Sequence, residues 1–204
     1  MVEKSISIGV VGIQGAVSEH IEMMENAFSI EGIDGRVFAF KNKTMMDDMQ
    51  GIILPGGEST TISRFLKRHG LAEEIRKRVK EGSLFIMGTC AGCVLLAKSI
   101  VDDTADVDPL YVMDIEVQRN AFGRQRESFE QDVFIADWQK PFPAVFIRAP
   151  LITKAGKGCR ILSKIDSDII MVEQDNMISL SFHPELTDDP RIHHYFLLKA
   201  LSIQ

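Results

Sequence analysis

Over its first half the chain alternates short, wholly apolar runs with stretches whose apolar residues recur at helical spacing. Residues 5–11 form a β-rich run closed by Gly12, and Gln14-Gly15-Ala16 follows as a loop. Val17, Ile21, Met24 and Phe28 then recur at spacings of four, three and four, which predicts an amphipathic helix. Residues 36–40 and 51–54 read as the next two strands, the second stopped by Pro55-Gly56-Gly57. Residues 58–69 and 71–80 are helical in pattern and are divided by Gly70. Residues 84–87 make a fourth apolar strand, and 94–98 have a helical look. Strands that are apolar throughout and alternate with helices predict a parallel sheet covered on both faces.

The second half changes character. Residues 102–108 are acidic and are expected to form an exposed loop. β-like runs follow at 112–117, 132–135, 145–148, 169–173 and 177–182, with few helical signals between them, and 192–201 reads as a closing helix. Mixed or antiparallel strands extending the sheet are therefore expected. The fold class is α/β: a three-layer, flavodoxin-like sandwich with a mostly parallel central sheet flanked by helices, in one domain over residues 1–204. Ligands of such sheets bind beyond the carboxyl ends of the strands, where both Pro55-Gly56-Gly57 and Cys90 fall.

Composition narrows the function. The 204 residues carry 29 acidic and 23 basic side chains, a net charge of −6, which disfavours nucleic acid or an anionic membrane as partner. No apolar run reaches the length of a membrane span, and the first residues lack the form of a signal peptide. Three cysteines, Cys90, Cys93 and Cys159, are an odd count without framework spacing, so free thiols in the cytoplasm are expected. No His, Cys, Asp or Glu cluster has metal-site spacing, and neither G-x-G-x-x-G nor a phosphate-binding loop is present; no metal or cofactor is expected.

The chemistry centres on Gly88-Thr89-Cys90-Ala91-Gly92, a cysteine between two glycines where an apolar strand meets a helix. A chain that doubles back there has no room for side chains two positions either side of the nucleophile, as in the elbow of serine hydrolases. The helix start favours the thiolate, but by only about 0.3–1 kcal/mol, so a catalytic cysteine also calls for a base. Of His20, His69, His183, His193 and His194, His183 stands out because it begins His183-Pro184-Glu185 after an apolar run. In extended chain, Glu185 points the same way as His183 and can orient its ring, with Pro184 stiffening the pair. His20 and His69 fit helix ends, and His193 and His194 are expected on the surface of the last helix. For a developing oxyanion the backbone N–H of Ala91 is placed by the elbow, and Gly56-Gly57 can bring a second. Cys90 and Cys93 also form C-x-x-C, which leaves a redox reading open; Cys159 reads as structural.

Taken in order, Gln14-Gly15-Ala16-Val17, Leu54-Pro55-Gly56-Gly57-Glu58-Ser59-Thr60-Thr61, the Cys90 elbow, Arg119-Asn120-Ala121-Phe122-Gly123-Arg124-Gln125, Phe146-Ile147-Arg148-Ala149-Pro150 and Ser181-Phe182-His183-Pro184-Glu185-Leu186 form a series. The chain thereby closely resembles the glutaminase subunits of pyridoxal 5′-phosphate synthase, within the class I glutamine amidotransferases. The elbow and H-x-E are shared across that class, and the Arg119 and Phe146 strings single out the subfamily. The resemblance implies hydrolysis of L-glutamine to glutamate and ammonia by Cys90, His183 and Glu185 through a glutamyl thioester. It implies L-glutamine binding by Gly57, Glu58, Ser59, Arg119, Ile147 and Arg148, and an oxyanion hole from the N–H groups of Gly57 and Ala91. It also implies a hetero-oligomer with a separate synthase subunit (PdxS) that takes up the ammonia. A glutaminase of the same class serving another pathway, such as histidine biosynthesis, and a catalytically silent regulatory subunit are the alternatives; the first lacks a reason for the Arg119 string, the second for an intact triad. Cys93 where an aliphatic residue is common, Ser18 where a basic one is common, and the acidic loop depart from the pattern without touching the triad.

Overall fold

The computed structural model describes residues 6–101, 106–119, 121 and 128–202. Most of the acidic loop (102–105) and most of the Arg119 string (Asn120 and 122–125) lie outside the described residues, as do 126–127 and Met1 to Ser5. The first half follows its hydrophobic pattern closely. Strand β1 (Ser7–Val11), helix α1 (Val17–Glu31), β2 (Arg36–Phe40), β3 (Gly51–Leu54), α2 (Ser59–Arg68), α3 (Leu71–Lys80) and β4 (Phe85–Thr89) succeed one another. Gly32 closes α1 in the left-handed conformation with φ 65°, and Gly70 does the same between α2 and α3 with φ 67°, which glycine adopts without penalty.

The central sheet runs β2-β1-β3-β4-β12-β11-β9-β6-β5, with β10 on β11. Its added members are β5 (Ala97–Val101), β6 (Met113–Gln118), β9 (Leu151–Ala155), β10 (Arg160–Ile165), β11 (Asp168–Gln174) and β12 (Met177–Leu180). From β2 to β12 neighbouring strands are parallel; β11 and β9 run antiparallel to their neighbours, as expected of the second half. The pleat sorts the core. Ile52 and Leu54 face a cluster built with α2, α3 and α4 (Ala91–Leu96), while Ile53 faces one built with α1 and α5 (Arg191–Leu201). Those two clusters are the outer layers of a three-layer α/β sandwich.

Three expectations need correction. The helical pattern at 94–98 is a helix over Ala91–Leu96 only: Ala97 turns to φ −60°, ψ 146° and leads β5, which pairs in parallel with β6. An apolar stretch this short carries no decisive periodicity, and pairing with β6 settles it. The runs at 132–135 and 145–148 fall in β7 (Ser128–Val133) and β8 (Phe142–Ile147), which form a separate two-stranded sheet instead of extending the main one. That ribbon is held by its aromatics, with Phe129 stacked on Phe146 at 4.6 Å between centroids and Phe142 and Phe146 buried against Phe182. Strands β9 and β10, with Thr153, Lys154 and Lys164 among their residues, were not foreseen because polar side chains at their exposed positions interrupt the apolar run.

Backbone packs very closely at the elbow. A Cβ on Gly92 would stand 2.1 Å from the carbonyl oxygen of Leu54, and one on Gly88 would stand 2.5 Å from that of Gly92. These are backbone atoms of the adjoining strand and helix and cannot rotate aside. Gly92→Ala is expected to lower the unfolding free energy by about 1–3 kcal/mol or more in a urea titration, whereas a parental midpoint would contradict the packing described.

Candidate active site

Cys90 sits between β4 and α4 with φ 50° and ψ −104°, outside the regions that non-glycine residues ordinarily adopt. Its backbone N–H is tied to Leu180 of β12 at 2.9 Å, and the carbonyl of Cys90 accepts the first N–H bonds of α4. The side chain is thereby aimed into a cavity of about 450 Å³ at the carboxyl ends of the strands. Gln14, Gly57, Glu58, Ser59, Cys90 and Ala91 line one side of that cavity, and Val94, Arg119, Ile147, Arg148, Pro150 and His183 complete it. All nine residues expected to bind glutamine, to act as nucleophile or base, or to donate to an oxyanion therefore face one cavity, and Glu185 lies directly behind His183. The Cys90 thiol is 3.7 Å from the carbonyl oxygen of Ile147.

His183 follows β12, its backbone N–H bonded to Val145 of β8 at 2.8 Å, so the β7–β8 ribbon helps to fix it. His183 itself has φ −107° and ψ 90°, but Pro184–Leu186 is a turn of 3-10 helix and not the extended chain expected. Proline at the first position suits such a turn, and the turn still delivers Glu185 to the ring: Oε1 is 2.8 Å from Nδ1. With Nδ1 on Glu185, Nε2 is the nitrogen left for Cys90. Gly56 closes the arrangement, since a Cβ there would stand 2.4 Å from the His183 ring and 3.4 Å from the Cys90 Cβ.

Electrostatics favour a charged imidazole. Burial pushes the His183 pKa down, but hydrogen bonds to Cys90 and Glu185 and the charges of both outweigh it and raise it to about 10. Burial pushes the Glu185 carboxyl up, and the neighbouring His20 and His183 more than compensate, holding it below its usual value. Cys93, fully buried one helical turn from Cys90, has its thiol pushed up to about 12, chiefly by burial. It has neither the exposure nor the ionisation a redox partner needs, and all three cysteines are free. Cys159 is half-buried and lies within reach of Asp114 and Gln174.

The approach to Cys90 is built from backbone and one ion pair. Gly57 adopts φ 132°, open to glycine, and Glu58 caps α2 by accepting from the Thr60 N–H. Arg119 reaches across to Glu58 at 3.2 Å. Sequence reasoning gave Gln14 no role, yet its Oε1 accepts from the Glu58 N–H at 3.1 Å and its side chain packs on Gly57. The available signal was its place in the loop after β1, at the same sheet end as Cys90. His193 is a plain correction: it is fully buried, 2.9 Å from His20, and only its neighbour His194 reaches the surface, paired with Glu31. His69 caps α2 as expected, whereas His20, in the first turn of α1, is fully buried.

A cysteine elbow and an H-x-E turn thus meet at the carboxyl edge of an α/β sheet, the arrangement the comparisons place among the glutamine amidotransferases. The model of the SNO glutamine amidotransferase family matches residues 10–202, and the chain belongs to that family. It is 48% identical over 200 residues to the pyridoxal 5′-phosphate synthase subunit PdxT of Methanosarcina acetivorans, covering 97% of this chain and all of that one. The PdxT of Pyrococcus furiosus is also 48% identical, over 197 residues, covering 96% of this chain and all of its own. A solved glutamine amidotransferase structure superposes with TM-score 0.84 at 42% identity, covering 95% of this chain and 98% of that chain. Another, from Thermotoga maritima, shares the fold with TM-score 0.62 at 14% identity, covering 98% and 96%.

The histidines give stability opposing pH dependences. His183, raised to about 10, contributes stability that is full below its unfolded value near 6.5 and lost as pH climbs towards 10. His20 and His193 are lowered, first by burial, so their contribution is present above about 6.5 and is lost as pH falls below it. Unfolding free energy from urea titrations is expected to fall on both sides of neutrality, and His193→Leu is expected to flatten the acid side. An unchanged acid limb in that variant would contradict the assignment.

Proposed function

We propose that the chain is the glutaminase subunit of a pyridoxal 5′-phosphate synthase, hydrolysing L-glutamine and passing ammonia to a synthase subunit. The reading is carried by one observation: Cys90, His183 and the glutamine-binding positions line a single cavity, with Glu185 hydrogen-bonded behind His183. Relatives named as PdxT, matched over nearly the whole of both chains, support the pathway.

The Cys90 sulfur attacks the side-chain amide carbon of glutamine, and the carbonyl oxygen becomes an oxyanion facing the N–H groups of Gly57 and Ala91. Each such donor is worth about 2.7–4 kcal/mol in the transition state. The His183 imidazolium gives its Nε2 proton to the departing nitrogen, so ammonia leaves and a glutamyl thioester remains. The ring, now neutral, takes a proton from water as that water attacks the thioester; collapse returns the thiolate and releases glutamate. Glu185 holds Nδ1 throughout and stabilises the imidazolium whenever it forms. Arg119 and Arg148 supply positive charge for the substrate carboxylate, while Glu58 offers a carboxylate to its ammonium; Ser59 and the Ile147 backbone complete the pocket. Three free thiols suit a reducing compartment, and the cytoplasm is the proposed location.

The deciding assay follows glutamate release with and without the synthase subunit while pyridoxal phosphate is measured in parallel. Release coupled to pyridoxal phosphate is expected; release with no such product would point to another pathway. Cys90→Ala is expected to reduce glutamate release by about 10⁴-fold or more while glutamine binding, read by calorimetry, persists. Substantial turnover by that variant would overturn the mechanism.

A further inference from the structure

Behind the line from Cys90 to Glu185 lies a second pair of histidines that the proposed reaction does not use. We infer that His20, held by His193, is a positioning residue that fixes the second carboxylate oxygen of Glu185 and so the ring of His183. The inference rests on the triad reading above.

The geometry joins four elements. His20 comes from α1, His193 from α5, Thr89 from the end of β4, and Glu185 from the turn after β12. Glu185 is committed to His183 through Oε1 alone. Its other oxygen is buried with no well-aligned hydrogen bond among the described residues. His20 Nε2 stands 3.4 Å from that oxygen and 3.3 Å from the Thr89 hydroxyl, and His20 Nδ1 is 2.9 Å from His193 Nε2. A carboxylate torsion is broad and soft, so one hydrogen bond leaves the group free to swing. His20 Nε2, at ion-pair distance from the second oxygen, restrains that freedom.

The direction of the chain of donors follows from the charge of Glu185, because a carboxylate only accepts. If His20 kept its proton on Nδ1, its bare Nε2 would face a carboxylate oxygen, acceptor against acceptor. The proton therefore sits on Nε2, His20 Nδ1 accepts from His193 Nε2–H, and His193 Nδ1 is left bare at the far end. That atom is the one ring nitrogen of the pair without a partner. A charged His20 is opposed by burial, the largest influence on it, and by His183; Glu185 and the nearby Glu19 favour it, and the balance holds its pKa below the usual value. His193 is likewise lowered. His20 thus steadies Glu185 without adding a second positive charge beside the His183 imidazolium.

The test compares His20→Leu, which removes the donor, with His20→Gln, whose side-chain amide can present N–H near the position of Nε2. Two readouts are followed: the pH dependence of Cys90 alkylation by iodoacetamide, scored by mass spectrometry on its peptide in the isolated chain, and kcat and KM for glutamine with the synthase subunit present. His20→Leu is expected to move the alkylation midpoint to higher pH and to lower kcat about tenfold or more, with KM within about twofold; His20→Gln is expected to restore both. A His20→Leu protein that loses thermal stability but keeps the parental midpoint and kcat overturns the inference, because that is what a purely structural histidine would do. If His20→Leu does not fold, His193→Leu carries the same measurement: a shift in the same direction supports the inference and a parental profile overturns it. Failure of the glutaminase reading would show differently, as a parental complex that releases no glutamate.

Discussion

Everything at the site depends on one strained residue. Cys90 holds a left-handed φ that costs a non-glycine residue on the order of 1–3 kcal/mol, and it persists only because the surroundings leave the backbone no alternative. Gly92 packs on the Leu54 carbonyl, Gly88 packs on Gly92, and the Cys90 N–H is held by Leu180. Three parallel strands, β3, β4 and β12, therefore end at the same level, and each leads into one part of the site: the Gly56-Gly57 turn, Cys90, and His183. The parallel sheet acts as a jig that sets backbone groups within ångströms of a sulfur.

Charge is arranged in depth behind that sulfur. The His183 ring is mostly buried yet strongly basic, because Cys90 and Glu185 hold it from both sides. Glu185 is itself buried, which would be costly for an isolated carboxylate, and it stays ionised through His20 and His183. Helices α1 and α5, on the face away from α4, carry the pair His20 and His193 that completes this buried line. The α1–α5 layer of the sandwich thus reaches the site as well as the core.

Much of this was legible from residue order. Apolar runs gave β1, β3 and β4 nearly to the residue, because a buried parallel strand has no polar face to blur its pattern. Gly88, Cys90 and Gly92 announced the elbow, and His183-Pro184-Glu185 announced the imidazole–carboxylate pair beside it. The sequence was silent where tertiary contact decides. Residues 94–98 divide into helix and strand only because β6 is there to pair with Ala97. The 3-10 turn at Pro184 replaces extended chain without losing the His183–Glu185 contact. His20 and His193 are 173 positions apart and meet through helix packing, which no local period reveals.

The central claim is covalent: the strained Cys90 sulfur carries the glutamyl group between ammonia release and hydrolysis. Rapid acid quenching of the complex during turnover with glutamine, followed by peptide mass spectrometry, tests it most directly. A glutamyl adduct on the peptide containing Cys90, appearing and decaying at rates compatible with turnover, is the result predicted. Turnover with the adduct on another residue, or with none at Cys90 under conditions where thioesters survive, would contradict it.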